Sequence, residues 1–415
     1  MTRTANRRVL ISGASIAGPA LAYWLSRYGF EVTVVEKASA IRGGGYAIDI
    51  RGTALGVVDR MGLLPRLREK HVGTQKLTFV NPDGTPITAV SPEAIAGGDP
   101  GADIEVRRGD LADALYDVCR DRVDFRFGDS IATLEDRGDR VDVSFDGGDS
   151  RTFDLVIGAD GLHSNTRGLA FGPKEPYLSY LGHVVAVFTV PNDFDLAHEG
   201  LIWNVPGKVA ALYAHEPDDS VHGFLAFRQK DMPFAAHPTP EAQRELVAAN
   251  YPETAWHIPY LIDAMRTADD LFFDAVCQTR MPTWSRGRVA LVGDAAFATS
   301  FLSGQGSSVS LVGAYVLAGE LARNADHTAA FASYERTARP FIEENQATAG
   351  EGGTTLIPGT QAMLDARNHA LNDPTALAGE RSSIYTSLTL PDYTANTDCT
   401  DCTDCTDCTD CTDNV

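Results

Sequence analysis

Basic residues are scarce in this sequence relative to acidic ones. The 415 residues include 35 lysines and arginines against 56 aspartates and glutamates, which gives a formal net charge of -21 at pH 7. Nucleic acids and anionic membranes attract positive surfaces, so neither is expected as a partner. Long apolar runs are also missing: none approaches the ~20 residues of a membrane-spanning helix, and no such span is predicted.

Cysteine is rare outside one short stretch. Of the seven cysteines, only Cys119 and Cys277 precede the C-terminal tail, and both stand among apolar residues. We interpret them as buried free thiols in a reducing compartment. The N-terminal sequence MTRTANRRVL is charged and lacks the apolar segment of a signal peptide, so a cytoplasmic location is expected.

The tail holds the other five cysteines. Thr397–Asp413 repeats Thr-Asp-Cys and ends on Thr-Asp, so neighbouring cysteines have the CxxC spacing of soft-metal and thiol-redox sites. No histidine and no folded scaffold accompany them, and such perfect repeats are typical of low-complexity sequence. We therefore predict that residues 391–415 are disordered and that the protein has no metal site, with metal binding by the tail as the alternative.

A glycine-rich turn between two apolar runs organises the rest of the chain. Strand-like Val9–Ile11 precedes the turn Gly13–Gly18, a helical pattern follows, and strand-like Glu31–Val35 ends on Glu36. This order is typical of a βαβ dinucleotide-binding unit, in which backbone N–H groups at a helix start face a pyrophosphate. A βαβ unit without a ligand is the alternative.

The residue types within this unit suit a nucleotide without a 2′-phosphate. Gly13 permits the tight turn and Gly18 permits close packing of helix and strand. Glu36 can accept hydrogen bonds from ribose hydroxyls, and its charge would repel a 2′-phosphate. Ser15 stands where the pattern usually has its middle glycine, and it is the next smallest polar choice.

Three later motifs place polar groups where apolar strands end. Asp160-Gly161 follows the buried strand Phe153–Gly158, and Gly293-Asp294 follows Val289–Val292. Ligands of open α/β sheets bind at such carboxyl ends. Gly304-Gln305-Gly306 then precedes a long helix, whose first N–H groups could hold a second polar or anionic group.

Taken together, these motifs resemble those of the group A flavoprotein monooxygenases, the FAD-dependent aromatic hydroxylases of the para-hydroxybenzoate hydroxylase class. Within this class, the sequence resembles the tetracycline-degrading monooxygenases and the actinobacterial antibiotic-tailoring hydroxylases. The resemblance covers about residues 7–345. It implies that NADPH or NADH reduces FAD, that O2 adds to give a flavin C4a-hydroperoxide, and that one oxygen atom passes to an electron-rich substrate.

The resemblance also implies which residues hold FAD. The first turn and its acid would bind the ADP half of FAD. Arg108, in an R-x-x-L turn, would bind the phosphate–ribityl region, with Arg107 as the register-shifted alternative. Asp160 matches the family's dual FAD/NAD(P)H motif, in which its role is partly structural. The implied cofactor-binding residues are Gly13, Ser15, Ile16, Ala17, Gly18, Glu36, Lys37, Gly45, Asp49, Arg108, Leu111, Asp160, Asp294, Gly304, Gln305 and Gly306.

One departure concerns the wall beside the flavin. The family commonly follows Gly-Asp-Ala-Ala with histidine and then a proline pair, whereas this sequence has Phe297 and then Ser300 and Phe301. A pocket wall that differs from the family's usual one is therefore expected beside the flavin. A FAD-dependent dehydrogenase or oxidase, an epoxidase, a Baeyer–Villiger monooxygenase and a flavin-free binding protein are kept as alternatives.

We predict an α/β fold with a Rossmann-type FAD-binding domain, an inserted β-sheet-rich substrate domain and a C-terminal helix. The expected bounds are 1–72, 105–176 and 281–325 for the first domain, 73–104 and 177–280 for the second, and 326–390 for the helical extension. Within the fold, helices are expected at 55–64, ending at Pro65, and at 106–119.

The substrate is expected to lie on the β-rich domain, over the flavin. His222 is the candidate for deprotonating a phenol, and Arg51, beside Asp49, is the second catalytic candidate. Trp203, Tyr213, Phe224 and Phe227 are predicted to line the pocket, with His215 and Arg228 as further candidates. The expected partners are an aromatic or polyketide-like small molecule, O2 and a transiently bound NADPH or NADH, while the oligomeric state is left open.

Overall fold

The structure is a computed structural model that describes residues 7–41, 43, 45–98, 101–215, 220–234, 238–372 and 381–393. Residues 394–415, which hold the Thr-Asp-Cys repeat, lie outside these residues. Pro391–Tyr393, which we expected to belong to the disordered tail, are described, and Tyr393 is buried. Within them, no helix is both long enough and apolar enough to cross a membrane.

The strands are β1 (Arg8–Ser12), β2 (Glu31–Glu36), β3 (Ala47–Ile50), β4 (Lys76–Val80), β5 (Pro86–Val90), β6 (Ile104–Arg107), β7 (Asp124–Phe127), β8 (Ile131–Asp136), β9 (Val141–Phe145), β10 (Ser150–Phe153), β11 (Leu155–Gly158), β12 (Leu178–Pro191), β13 (Glu199–Val205), β14 (Lys208–Ala214), β15 (Ser220–Arg228), β16 (Phe272–Thr279), β17 (Ser285–Arg286) and β18 (Val289–Leu291). The helices are α1 (Ala17–Arg27), α2 (Thr53–Arg60), α3 (Leu64–Glu69), α4 (Pro92–Ala96), α5 (Arg108–Asp117), α6 (Asn165–Phe171), α7 (Pro240–Ala249), α8 (Ile258–Thr267), α9 (Asp294–Phe297), α10 (Gly306–Arg323), α11 (His327–Ala347), α12 (Ala349–Leu356), α13 (Gln361–Leu371) and α14 (Arg381–Tyr385), with a 3-10 helix at Phe301–Ser303.

A six-stranded sheet of order β17-β18-β11-β1-β2-β7 carries the glycine motifs. Its strands run parallel except for the short edge strand β17. Parallel strands are covered on both faces and read as near-continuous apolar runs, as Val9–Ile11 and Leu155–Ile157 do. Helices α1 and α10 pack together in the large core beside this sheet.

A seven-stranded sheet of order β16-β12-β15-β14-β13-β4-β5 forms the β-rich part of the fold. Its pairings are antiparallel except that β13 runs parallel to β4. One face packs against α7 and α8, and the other packs against residues that include Leu302, Ala349 and Ile357. Alternation along each strand therefore decides which side chains look towards the glycine motifs.

These two sheets confirm the predicted α/β class, with a Rossmann-like parallel sheet and an antiparallel β-rich part. The exact domain bounds remain a prediction. Two local expectations were wrong. Pro65 lies in the first turn of α3 instead of ending a helix, because proline is tolerated where the N–H would have no partner. Residues 104–107 form β6, so the predicted helix begins only at Arg108.

Candidate active site

The motifs singled out from the sequence meet at one edge of the parallel sheet. Gly293 follows β18, Ala159 follows β11, Gly13 follows β1, and Glu36 ends β2. These four strands are neighbours in the sheet and run in the same direction, so their carboxyl ends lie side by side. This is the edge at which ligands of open α/β sheets bind.

The first turn has the geometry of a phosphate cradle. Gly13 has φ +105°, and a Cβ there would lie 2.5 Å from the carbonyl oxygen of Ala159. A Cβ on Gly18 would lie 1.9 Å from the carbonyl oxygen of Gly13, so both positions require glycine. Helix α1 follows Ile16, whose apolar side chain supplies no cap. Its first N–H groups are therefore suited to an anion.

Glu36 is held in place at the end of β2 by two backbone groups. Its Oε2 accepts a hydrogen bond from the N–H of Ala14 at 2.9 Å, and its Oε1 accepts one from Ala38 at 2.9 Å. A carboxylate has about four acceptor positions, so two remain for ribose hydroxyls. Lys37, the next residue, is exposed at the surface.

Arg108 connects the first turn to helix α5. Its Nη2 donates to the hydroxyl of Ser15 at 2.7 Å. Its backbone N–H donates to the carbonyl of Tyr46 at 3.1 Å, and a Cβ on Gly45 would lie 3.8 Å from the Arg108 Cβ. Arg107 instead belongs to β6, opposite Ala47. The geometry thus favours Arg108 over Arg107 as the arginine beside the turn.

Asp294 begins α9 and marks a deep cleft. Its side chain is exposed to solvent, although protein atoms surround it closely. This burial raises the pKa of Asp294 to about 6, although the charge of Arg108 opposes the rise. Tyr46, Asp49 and Tyr213 are likewise partly accessible but enclosed, and burial raises the pKa of each. These four side chains trace a cleft between the two sheets.

An ion pair lies beside the second glycine loop. Arg51 is 5% exposed, and its Nη2 lies 2.9 Å from Oδ2 of Asp49. A Cβ on Gly304 would lie 3.9 Å both from Arg51 Nη1 and from Asp49 Oδ2. Gln305, the next residue, is fully buried, and its side-chain amide has no hydrogen-bond partner within the described part of the chain. A buried amide of this kind calls for a ligand or an ordered water.

Two predicted cofactor residues, Leu111 and Asp160, support the cleft from within the fold. Leu111 is fully buried in the core beneath α5. The carboxylate of Asp160 accepts hydrogen bonds from the backbone N–H and the hydroxyl of Thr166, each at 2.8 Å, and from the hydroxyls of Ser12 and Ser164. Asp160 therefore fixes the start of α6 against β1, which is a structural role. Ile16, Ala17 and Gly306 form the starts of α1 and α10.

The predicted substrate residues divide between two faces of the β-rich sheet. Tyr213 and His222 are cross-strand partners, and Phe224 shares their face, which looks towards Leu302 and the cleft. Trp203 and Phe227 lie on the opposite face, in the core formed with α7 and α8. This placement corrects the expectation that Trp203 and Phe227 line the pocket, because neither faces the cleft.

A cavity of about 220 Å³ opens at the far end of the same sheet face. His183 and Arg228 are its basic side chains. Arg228 lies six positions after His222 in β15, or about 20 Å along an extended strand. The geometry therefore favours His183 over His222 as the histidine beside a substrate. The cavity is lined by Leu181, His183, Arg228, Leu302, Ala349, Gly350, Gly353, Thr354, Ile357 and Met363.

The segment that replaces the usual histidine and proline pair is well packed. Phe297 is 1% exposed and contacts Trp284, and a Cβ on Gly313 would lie 2.7 Å from its ring. Ser300 has φ +77°, and its Oγ accepts a hydrogen bond from the N–H of Leu302 at 3.2 Å. Phe301 packs edge-on against Phe224. Phe297, Ser300 and Phe301 therefore form a wall between the Gly304 loop and the β-rich sheet that differs from the family's usual histidine and proline pair.

Comparison with known proteins assigns the family. The family profile described as FAD binding domain matches residues 6–349, and the chain belongs to this family. An uncharacterized protein of Mycobacterium tuberculosis is 44% identical over 342 residues, which are 82% of this chain and 92% of the relative. A flavin-dependent monooxygenase of Legionella longbeachae is 33% identical over 393 residues, covering 94% of this chain and 99% of the relative.

A solved structure shows the same fold. The tetracycline destructase Tet(55) superimposes with a TM-score of 0.82 at 34% identity, over 94% of this chain and 99% of that chain. The protein is thus a flavin-dependent monooxygenase, and its cofactor is FAD, with NADPH or NADH as the reductant that the family implies. The glycine cradle, the anchored Glu36 and the enclosed Asp294 of this chain are consistent with FAD.

Proposed function

We propose that this monooxygenase hydroxylates an aromatic or polyketide-like small molecule that carries an acidic phenol or enol. The observation that carries the proposal is the cavity at His183 and Arg228, which combines a cation and a basic ring with an apolar wall. The 34% identity to a tetracycline destructase supports a fused-ring polyketide as the substrate, in antibiotic inactivation or tailoring.

The two basic side chains have complementary roles towards such a substrate. Nδ1 of His183 lies 2.7 Å from the carbonyl oxygen of Leu181, and since a carbonyl only accepts, Nδ1 carries the proton. Burial lowers the pKa of His183, so the ring is neutral at physiological pH and Nε2 can accept a phenol proton. Arg228 would then stabilise the resulting anion. Deprotonation makes an aromatic ring richer in electrons at the position to be hydroxylated.

The cavity size sets a limit on what enters. Its volume of about 220 Å³ is below the roughly 300–1,000 Å³ of typical small-molecule pockets. We infer that it receives one end of a fused-ring molecule, with the remainder lying along the sheet face of Phe224. The apolar side chains of Leu302, Ile357 and Met363 would exclude water around that end.

The chain contributes binding, orientation and charge. When bound, FAD supplies the reaction with O2 and the oxygen transfer. The Gly13–Gly18 turn and α1 would hold its pyrophosphate, Glu36 its ribose, and Arg108 and Asp294 the phosphate–ribityl region. The Gly304 loop would meet the flavin ring. Arg51 would not touch substrate, since it is buried against Asp49.

The test is substrate-dependent turnover with isotopically labelled O2. NADPH and NADH oxidation, O2 uptake and product mass are followed for tetracyclines and for simple phenols. We expect oxidation of the reductant to accelerate with a fused-ring phenol and one labelled oxygen atom to appear in the product. The proposal fails if no phenolic or polyketide compound gains labelled oxygen. Product structure separates hydroxylation from epoxidation and Baeyer–Villiger insertion.

A matched pair of variants tests the cavity itself. Arg228→Met should raise KM for the acidic substrate by about tenfold or more, because a charge-assisted hydrogen bond contributes roughly 1.5–3 kcal/mol. Arg266→Met removes the same charge from the exposed end of α8, on the other side of the sheet, and should leave KM unchanged. Equal KM values for both variants would place the substrate elsewhere.

A further inference from the structure

We propose that Tyr385, from a C-terminal segment beyond the family domain, is a positioning residue of the FAD site. It holds the Arg51–Asp49 ion pair beside the Gly304 loop. We call this segment, residues 381–393, the strap. It follows the 6–349 range that matches the family profile.

The strap is fixed to the two helices that start beside the cleft. Leu388 and Pro391 supply carbonyl acceptors to α2 and α10, and Tyr393 buries its ring against Gly319, where a Cβ would lie 2.2 Å from it. The bonds are Thr53 Oγ1 to Leu388 O at 2.8 Å, Arg60 Nη1 to Pro391 O at 2.9 Å, Tyr315 OH to Pro391 O at 2.7 Å and Tyr393 OH to Glu320 Oε1 at 2.8 Å.

Tyr385 meets the residues that begin α2. It is 1% exposed, and its carbonyl oxygen lies 2.2 Å from where a Cβ on Gly52 would be. Gly52 also has φ +53°, a conformation that glycine adopts without strain. The ring centroid of Tyr385 lies 5.9 Å from the guanidinium carbon of Arg51, within the range of a cation–π contact. The backbone of Tyr385 therefore packs on Gly52, and its ring packs on Arg51.

Arg51 passes this restraint to the cofactor loop. Its backbone N–H donates to the hydroxyl of Ser308 in the first turn of α10 at 3.1 Å, and its guanidinium pairs with Asp49. Both charged groups lie 3.9 Å from the position of a Gly304 Cβ. Arg51 also lies 4.0 Å from Asp103, so these charges set the local electric field beside the loop, and displacing Arg51 changes FAD binding and shifts the flavin midpoint potential.

The test uses the full-length holoenzyme with Tyr385→Leu, which loses the aromatic face, and Tyr385→Phe, which keeps it. We expect Tyr385→Leu to weaken FAD binding about five-fold, as the loss of a cation–π contact implies, and to shift the midpoint potential away from the wild-type value. Tyr385→Phe should stay within about two-fold of the wild type. Tyr385→Met, which also lacks the aromatic face, gives the same test if the leucine variant does not fold.

Two strap variants separate positioning from docking of the strap. Ser387→Ala removes a hydrogen bond to Glu344 at 2.7 Å, and Tyr393→Phe removes the bond to Glu320, while both leave Tyr385 in place. Each should retain the wild-type potential. The proposal is overturned if Tyr385→Leu binds FAD with unchanged affinity and potential. It is equally overturned if the two strap variants reproduce the shift, since the effect would then not pass through Arg51.

Discussion

Nη2 of Arg108 lies 2.7 Å from Oγ of Ser15, so the residue that replaces the usual middle glycine is bonded to the arginine of α5. Serine at position 15 departs from the usual glycine motif, but it gives the turn a side-chain hydrogen bond that glycine could not make. The same arginine opposes the raised pKa of Asp294 and of Tyr46. Arg108 therefore links the first turn with the middle of the cleft.

This link predicts a non-additive pair of substitutions. Arg108→Ala should weaken FAD binding by about tenfold or more, and Ser15→Ala by a few-fold, because hydrogen bonds to charged groups contribute roughly 1.5–3 kcal/mol. The double variant should be no weaker than Arg108→Ala alone, since Ser15 acts through Arg108. Fluorescence titration of the apoprotein with FAD measures all three.

The neighbouring arginine supplies the control for this cycle. Arg107→Ala removes a cation one residue away, in β6, and should leave the FAD affinity within about two-fold of the wild type. If Arg107→Ala weakened FAD binding as much as Arg108→Ala, the register inferred from the Ser15 bond would be wrong.

The sequence was informative where backbone geometry dictates residue type. Gly13 and Gly18 are required by contacts shorter than any Cβ tolerates, and Glu36 ends a strand, so spacing alone located them. His183 and Tyr385 left no such signal. The position of His183 depends on which strands pair. The position of Tyr385 depends on a segment that returns to α2 from over 300 residues away, as the hydrogen bond between Thr53 and Leu388 shows. Such long-range contacts are set by tertiary packing.

The two faces of β15 could not be assigned from the sequence. Phe224 and Phe227 are both aromatic residues in one apolar strand, and only alternation relative to the helices tells them apart. Phe227→Ala should lower the free energy of unfolding by about 3–5 kcal/mol, because it leaves a cavity in the α7–α8 core.

Phe224→Ala should act on the substrate instead. The side chain is partly accessible and faces the cleft, where it packs on Phe301, so we expect a smaller loss of stability and a larger rise in KM. Urea unfolding and steady-state kinetics on both variants provide the comparison. Reversed effects, with Phe227→Ala changing KM alone, would contradict the assignment of faces.

Asp294 predicts a pH dependence of apoprotein stability. Its pKa rises from 3.8 to about 6 on folding, so the folded state binds the proton more tightly than the unfolded state. The favourable contribution is complete below 3.8 and is lost as the pH rises through about 6. Asp294→Asn keeps this position neutral, so it should raise the Tm of the apoprotein at about pH 8 more than at about pH 5.

Solvent reaches the Asp294 side chain through the cleft, so the gain should be modest. The same variant should bind FAD more weakly at both pH values, since we propose that the carboxylate meets the phosphate–ribityl region. If the Tm difference between Asp294→Asn and the wild type did not change with pH, the pKa of Asp294 would not be raised by folding.

Ser300 predicts a trade of activity for stability. Its φ of +77° and ψ of +150° lie in a region that is essentially restricted to glycine and costs other residues roughly 1–3 kcal/mol. Ser300→Gly should raise the free energy of unfolding by about 1 kcal/mol after the added chain entropy of glycine is subtracted. Ser300→Ala keeps the strain and loses the bond to the Leu302 N–H, so it should be less stable than the wild type.

Because Leu302 lines the cavity, Ser300→Gly should also loosen that wall and raise the fraction of NADPH oxidised without product. Thermal unfolding together with product-to-NADPH ratios decides the matter, and a glycine variant that is both less stable and fully coupled would rule the strain out.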